Sequence, residues 1–230
     1  SSGRLTATLV SAGAVCKQLL RQKGVEIGAH ILSIKDIEDK PFGVNINSQE
    51  LSALTHKTLP LIDESLFESM RKTILSAREE GDSVGGVIEC AAVGLKGGIG
   101  EPFFDSIESH VASLLFSVPA VKGVQFGKGY GLTKMYGSEA NDPFRYEGDK
   151  VVTSTNNNGG ILGGLSTGMP IVFNVAIKPT PSIFKQQNTI DVAAKENTVL
   201  SLKGRHDSCI VVRAVPVIEA VCAIALYDLL

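Results

Sequence analysis

The chain has no tryptophan, and aromatic residues make up only 6% of its 230 positions. Surfaces that bind nucleic acid without regard to sequence lean on stacked aromatics and excess positive charge. Here 22 Lys and Arg stand against 24 Asp and Glu, a formal net charge of -2. That balance disfavours both a general nucleic-acid binder and a protein drawn to acidic membranes. Cysteine is scarce and scattered: Cys16, Cys90, Cys209 and Cys222, with no CxxC pair. The spacing argues against a zinc knuckle or a redox motif. Three of the four sit in apolar runs, as buried free thiols do, which points to a reducing, cytoplasmic setting. No apolar run is clean enough to span a bilayer, which needs ~20 nearly charge-free residues. The most apolar stretch, Val211 to Leu230, is interrupted by Arg213, Pro216, Glu219 and Asp228 and reads as a buried terminal helix. The opening residues lack the apolar core of a secretory leader. They begin Ser1-Ser2-Gly3-Arg4 without an initiator Met, so further chain is expected ahead of them.

What is present is a globular composition, 43% hydrophobic and 20% charged, on a chain long enough to bury a sizeable core. Leu5, Leu9, Ala12, Cys16, Leu19 and Leu20 recur near a 3.6 period and predict a helix over 4–23, stopped by Gly24. Val25, Ile27, Ala29 and Ile31 then alternate as a strand, which places His30 on the opposite face, partly exposed. The helix-then-strand unit recurs twice. Leu66, Phe67, Met70, Ile74 and Ala77 precede a strand over 84–93 whose apolar residues occupy both faces, so it should be buried on both sides. Ile107, Val111, Leu114, Leu115 and Val118 precede Pro119 and a strand over 121–126. The stretch 128–148 is rich in Gly, Asn, Asp and Pro and predicts long surface loops. Beyond it, Val151 to Thr155 and Ile171, Phe173, Val175 and Ile177 read as strands, and 189–192 with 198–202 as a hairpin around Lys195-Glu196-Asn197. The reading is one continuous α/β unit.

Chemistry concentrates in the second half. The run Asn156-Asn157-Asn158-Gly159-Gly160-Ile161-Leu162-Gly163-Gly164 is neither GxGxxG nor a phosphate loop ending in Gly-Lys-Ser/Thr. Its glycines would let backbone approach a flat ring or a phosphate; the alternative is a tight turn packed on a neighbour. Lys178-Pro179-Thr180-Pro181-Ser182 combines a point charge and two hydroxyls on a loop stiffened by proline, against the alternative of a rigid exit turn with a solvated lysine. In Gly204-Arg205-His206-Asp207, Arg205 suits a phosphate or carboxylate, and His206 and Asp207 form a pair in which Asp207 can accept a proton; a structural ion pair is the other reading. Ser1 and Ser2, ahead of the first helix, offer hydroxyls at an anion-favouring helix start, or an ordinary cap. His30, His56 and His110 share no spacing, and no metal site is expected.

Together these segments resemble the chorismate synthase family. The resemblance rests on Ser1-Ser2-Gly3-Arg4, Gly81-Asp82-Ser83-Val84-Gly85-Gly86, Gly100-Glu101-Pro102, Pro119-Ala120-Val121-Lys122-Gly123, Gly137-Ser138-Glu139-Ala140-Asn141-Asp142, the glycine run, the Lys-Pro-Thr loop, Gly204-Arg205-His206-Asp207 and Arg213-Ala214-Val215-Pro216, in family order. It implies a β-α-β sandwich with helices between antiparallel-rich sheets. It implies 1,4-elimination of phosphate from 5-enolpyruvylshikimate 3-phosphate to give chorismate, requiring reduced FMN, with NADPH only as a flavin reductant in some relatives. By position it implies FMN contacts at Ser1, Ser2, Pro119, Ala120, Gly163, Lys178, Pro179, Thr180, Pro181, Ser182 and Arg205, and it makes Asp207 the acid that manages the flavin proton. A cytoplasmic homotetramer is the implied assembly. The family's N-terminal region, with its two catalytic histidines, falls ahead of Ser1. The expectation is therefore a single N-terminally truncated domain over 1–230 that keeps much of the flavin cradle, the intact protein being the enzyme.

Overall fold

The structure, a computed structural model, describes residues 3–204 and 206–230. A single turn at Gly3–Leu5 opens into α1, Thr6–Gln22. Gly24 ends it at φ +82°, where a residue with a Cβ is strained. Then follow β1 (Glu26–Ile34), β2 (Ile37–Glu38), α2 (Ser48–Leu54), α3 (Phe67–Glu79), β3 (Gly86–Val93), α4 (Ile107–Leu115) and β4 (Val121–Phe126). The loop-rich stretch contains α5 (Gly137–Ala140) and β5 (Phe144–Glu147), which pairs with β6 (Lys150–Thr153). The short pair β7 (Ile161–Leu162) and β8 (Leu165–Ser166) precedes β9 (Ile171–Ile177), the hairpin β10 (Gln187–Asp191) and β11 (Glu196–Leu200), and α6 (Val211–Asp228).

Five strands form one antiparallel sheet in the order β2-β1-β3-β9-β4. On one face α6 packs against β1 and β3, with α1 laid over it and α4 beside it. Ile27, Ala29, Ile31, Ile88, Cys90, Phe173 and Val175 meet Val215, Ile218 and Cys222 in this core. The other face is covered in its middle by α2, through Leu51 against Ala91, Val93 and Val172. Double coverage explains why β3 is apolar at nearly every position, and the expected two-sided burial of that strand holds. The antiparallel sheet with layered helices is the fold class expected. Among the described residues no helix is long and apolar enough to cross a membrane.

Three expectations need correction. His30 is buried, not partly exposed, because the chain between β2 and α3 returns over that face of β1. Its Nε2 lies 2.9 Å from Glu89 Oε2 and its Nδ1 3.3 Å from Asp39 Oδ2. Those carboxylates anchor the returning chain: the Phe42 amide donates to Glu89, and the Ile62 and Asp63 amides donate to Asp39. The last hairpin turns at 192–195 rather than around Lys195-Glu196-Asn197, since Lys195 takes the left-handed turn position at φ +56° and Glu196 and Asn197 already pair with Asp191 and Ile190. Cys16 and Cys209 are only half-buried, while Cys90 and Cys222 are buried; all four are free.

The charged residue in the middle of the terminal apolar stretch, Glu219, has a partner. Glu219 lies inside α6, 2.5 Å from the Lys17 ammonium of α1, and its second oxygen accepts from the Ala29 amide at 2.9 Å. Nearby, Gly13 lets α1 approach α6 closely: a Cβ there would stand 2.3 Å from the Ala220 Cβ and 2.4 Å from its Cα.

Candidate functional site

The site grows from one end of the sheet, where β9 stops and β4 starts. Beyond Ile177, Lys178 donates its amide to the Ala120 carbonyl at 3.0 Å, which binds the Lys-Pro-Thr loop to the corner between α4 and β4. Ala120 sits in that corner at φ +74°. A residue with a Cβ adopts this backbone at a cost of about 1–2 kcal/mol, and such strain collects at ligand clamps.

The Gly81–Gly86 segment forms a second wall. Ser83 Oγ donates to the Thr180 carbonyl at 2.7 Å, and the Phe184 and Lys185 amides donate to the Gly81 carbonyl at 2.9 and 3.3 Å. The Lys185 ammonium lies 2.8 Å from Asp82 Oδ2. That hydrogen bond, with one from the Ser83 amide, holds the Asp82 carboxyl below its usual range. Gly85 leaves room for the loop to pass, since a Cβ there would stand 2.4 Å from the Ile177 carbonyl oxygen and 3.0 Å from Pro179.

The third wall is formed by Gly204 and by residues 206–208. The Val84 amide donates to the Ser208 carbonyl at 2.8 Å and fastens this stretch to the second wall. The His206 ring meets Phe184 edge-on, with centroids 5.2 Å apart. Asp207 is partly exposed and is held by Arg213 Nη1 at 2.9 Å.

Pro119, Ala120, Lys178, Pro179, Thr180, Pro181, Ser182 and Asp207 thus lie on three segments linked by the Lys178–Ala120, Ser83–Thr180 and Val84–Ser208 hydrogen bonds. Lys178 is exposed and makes no ion pair among the described residues. Thr180 Oγ1 is buried and has no hydrogen-bond partner among them. An unpaired cation and an orphaned hydroxyl on a proline-stiffened loop suit a ligand anion, phosphate in particular. Ser1, Ser2 and Arg205 lie outside the described residues.

Gly163 is not brought to this cluster. It turns between β7 and β8 at the opposite end of β9, a strand whose seven residues span about 20 Å. There the Ile107 amide at the start of α4 donates to the Gly164 carbonyl. Gly163 is exposed with open space beside it, and Phe103 and Phe104 are 87% and 91% exposed on the turn just before α4. The first half of the glycine run is architectural. Gly159 and Gly160 have positive φ, and added Cβ atoms would strike Val172 O at 2.5 Å and Pro170 O at 2.3 Å. The tight-turn reading is the one realised there.

Sequence reasoning passed over three contributors, namely Ser83, Phe184 and the Asp82–Lys185 pair. The signal for Asp82 and Ser83 was Gly81-Asp82-Ser83-Val84-Gly85-Gly86, whose glycines mark a close backbone approach without naming the partner; Phe184 and Lys185 carried none.

The profile of the family described as chorismate synthase matches residues 1–230. The chain is 45% identical over 227 residues to a chorismate synthase of Thermococcus kodakarensis, covering 99% of this chain and 62% of that protein. It is 44% identical over 229 residues to one from Methanosarcina barkeri, again with 62% of the relative covered. A solved structure titled as a crystal structure of chorismate synthase superposes with a TM-score of 0.81 at 30% identity, over 99% of this chain and 63% of that one. The chain spans about 62% of the length of the curated relatives it matches.

Proposed function

This chain belongs to the chorismate synthase family, and from that premise we propose that the protein eliminates phosphate from 5-enolpyruvylshikimate 3-phosphate with reduced FMN held in the cluster around Lys178. The observation that carries the reading is a pair of groups on one rigid loop that have no partner among the described residues: the Lys178 ammonium and the buried Thr180 hydroxyl. They fit the phosphate of a flavin mononucleotide, and Ser182 adds a second hydroxyl on the same loop. Pro119 and the left-handed Ala120 would border the cofactor from the α4–β4 corner. Ser1, Ser2 and Arg205 complete the proposed contacts.

A 1,4-elimination must expel phosphate and remove a ring proton. Reduced FMN, when bound, supplies electron density to the electron-poor allylic system. The protein's share is to hold the reactants together, keep water out and offer positive charge where the phosphate departs. Asp207 is the group proposed to handle a proton, at Oδ1 or Oδ2. Its pairing with Arg213 orients the carboxylate while leaving it partly open.

Homotetramer formation is part of the proposal. Gly163 lies too far along β9 to share a ligand with Lys178 in the same copy, so its flavin contact is assigned to a second copy. The exposed Phe103–Phe104 pair beside it suits burial between copies.

The test uses the full-length protein with reduced FMN and 5-enolpyruvylshikimate 3-phosphate under anaerobic conditions. Stoichiometric phosphate release is expected. Its absence, with FMN demonstrably bound, would remove the assigned reaction. Asp207→Ala is expected to lower kcat more than FMN affinity.

A further inference from the structure

His206 carries a nitrogen that the described residues do not satisfy. Its Nε2 is buried and has no hydrogen-bond partner among the described residues. A buried donor or acceptor left unpaired costs about 1–3 kcal/mol, so such a group is normally met by a ligand or by water. The ring is not a loose surface side chain. Phe184 takes one edge, the Asp207–Arg213 pair and the Ser208–Val84 bond fix the backbone that follows, and the Nε2 edge looks toward Gly204. The nearest ring atom to a Cβ built on Gly204 would be Nε2 itself, at 3.6 Å, so the side chain that glycine lacks leaves space beside this nitrogen. Thr180 Oγ1, the other orphaned polar atom of the cluster, belongs to the loop that carries Phe184. Two groups unmet among the described residues thus sit on two walls that pack against each other, in a cluster with a lysine that makes no ion pair among those residues.

We propose that His206 is a ligand-contacting residue of this site, its Nε2–H donating to the phosphate end of the bound flavin together with Thr180 Oγ1. The inference rests on the FMN reading above and adds a residue to it. Phe184 is then a positioning residue, because it sets the ring through its edge contact. No bond is made or broken at His206 in this role.

The experiment compares FMN with riboflavin, which has the same ring system and no phosphate. Both are titrated by fluorescence into the full-length wild-type protein and into His206→Ala and His206→Gln. Losing one hydrogen bond to a charged acceptor is expected to weaken FMN binding by about tenfold. Riboflavin binding should stay unchanged in His206→Ala, and His206→Gln, which keeps an N–H, should recover part of the loss for FMN. Equal weakening for both flavins would make His206 a structural residue and overturn the assignment, as would unaltered FMN affinity in His206→Ala. Wild-type protein that binds neither flavin would instead overturn the FMN reading itself, which separates the two failures. A further readout is the His206 ring signal in NMR, expected to shift on adding FMN and to stay in place on adding riboflavin.

Discussion

The Asp142 carboxylate accepts from the Asn157 and Asn158 amides at 2.7 and 2.9 Å, from the Asn158 side chain at 2.8 Å and from the Thr155 hydroxyl at 2.7 Å. Burial alone would push its carboxyl up, but the Asn158, Thr155 and Asn157 donors outweigh burial and hold it below the usual carboxylate range. A folded-state value below the unfolded one, about 4, means stabilisation that is complete above that pH and lost as pH falls through the folded value. Asp142→Asn turns an acceptor-only group into one that places an N–H against donors. It is expected to cost about 1–3 kcal/mol at neutral pH in urea unfolding. The gap between wild type and variant should close as pH is taken well below 4, and a gap independent of pH would contradict the assignment. Nothing in Asn141-Asp142-Pro143 announced this role, because the carboxylate gains its meaning only from chain 13 to 16 residues further on.

Between elements, the α1–α6 contact sets two opposing effects against each other. Replacing Gly13 by Ala should favour the isolated helix by about 1 kcal/mol. The new Cβ would stand 2.4 Å from the Ala220 Cα, so the helices must separate, and overpacking of this kind costs about 1–3 kcal/mol. Backbone cannot rotate away as a side chain can, so packing should win and the melting temperature of Gly13→Ala should fall. A rise would mean that the helices have slack at this crossing. The Lys17–Glu219 pair makes a second test of the same interface. Lys17→Met leaves a carboxylate buried without its cation and should cost about 3–5 kcal/mol. The double variant Lys17→Met with Glu219→Gln keeps an oxygen for the Ala29 amide and removes the charge, so it should recover most of the loss in a double-mutant cycle. The 3.6 period of α1 foretold the helix, but an alanine- and glycine-rich stripe does not say which helix it will meet.

The molecule as a whole divides into a doubly covered sheet and two hairpins that stand away from it. Every residue of β11 is exposed, as are all four of β5. Two-stranded units without a packed face are marginal by themselves. Hydrogen exchange should therefore find β3 and β9 amides the slowest and those of β5–β6 and β10–β11 among the fastest in a lone chain. In the assembled full-length protein, protection of these hairpins should rise if a second copy covers them. Uniform protection across sheet and hairpins in the lone chain would contradict this division.

How far residue order reached can be read from particular cases. Periodicity at 3.6 and 2 located α1, α3, α4 and β9, and unbroken apolar runs located α6 and β3, because those patterns record which sides of each element meet apolar neighbours. Residue order also picked out Lys178 to Ser182 and Gly204 to Asp207 as candidates, since charge, hydroxyls and stiff backbone are local properties. Residue order misjudged His30, whose alternation looked half-solvated, because burial of a strand's second face depends on where later chain, here Asp39 and Phe42, returns over it. The family resemblance, not the residue pattern, assigned Gly163 and Lys178 to one cofactor, and the two lie at opposite ends of β9. Residue order settles periods, turns and donor types, which are short-range. Which walls meet, which carboxylate receives a partner and which buried nitrogen stays unmet were settled by folding, since distance in space is not a function of distance along the chain.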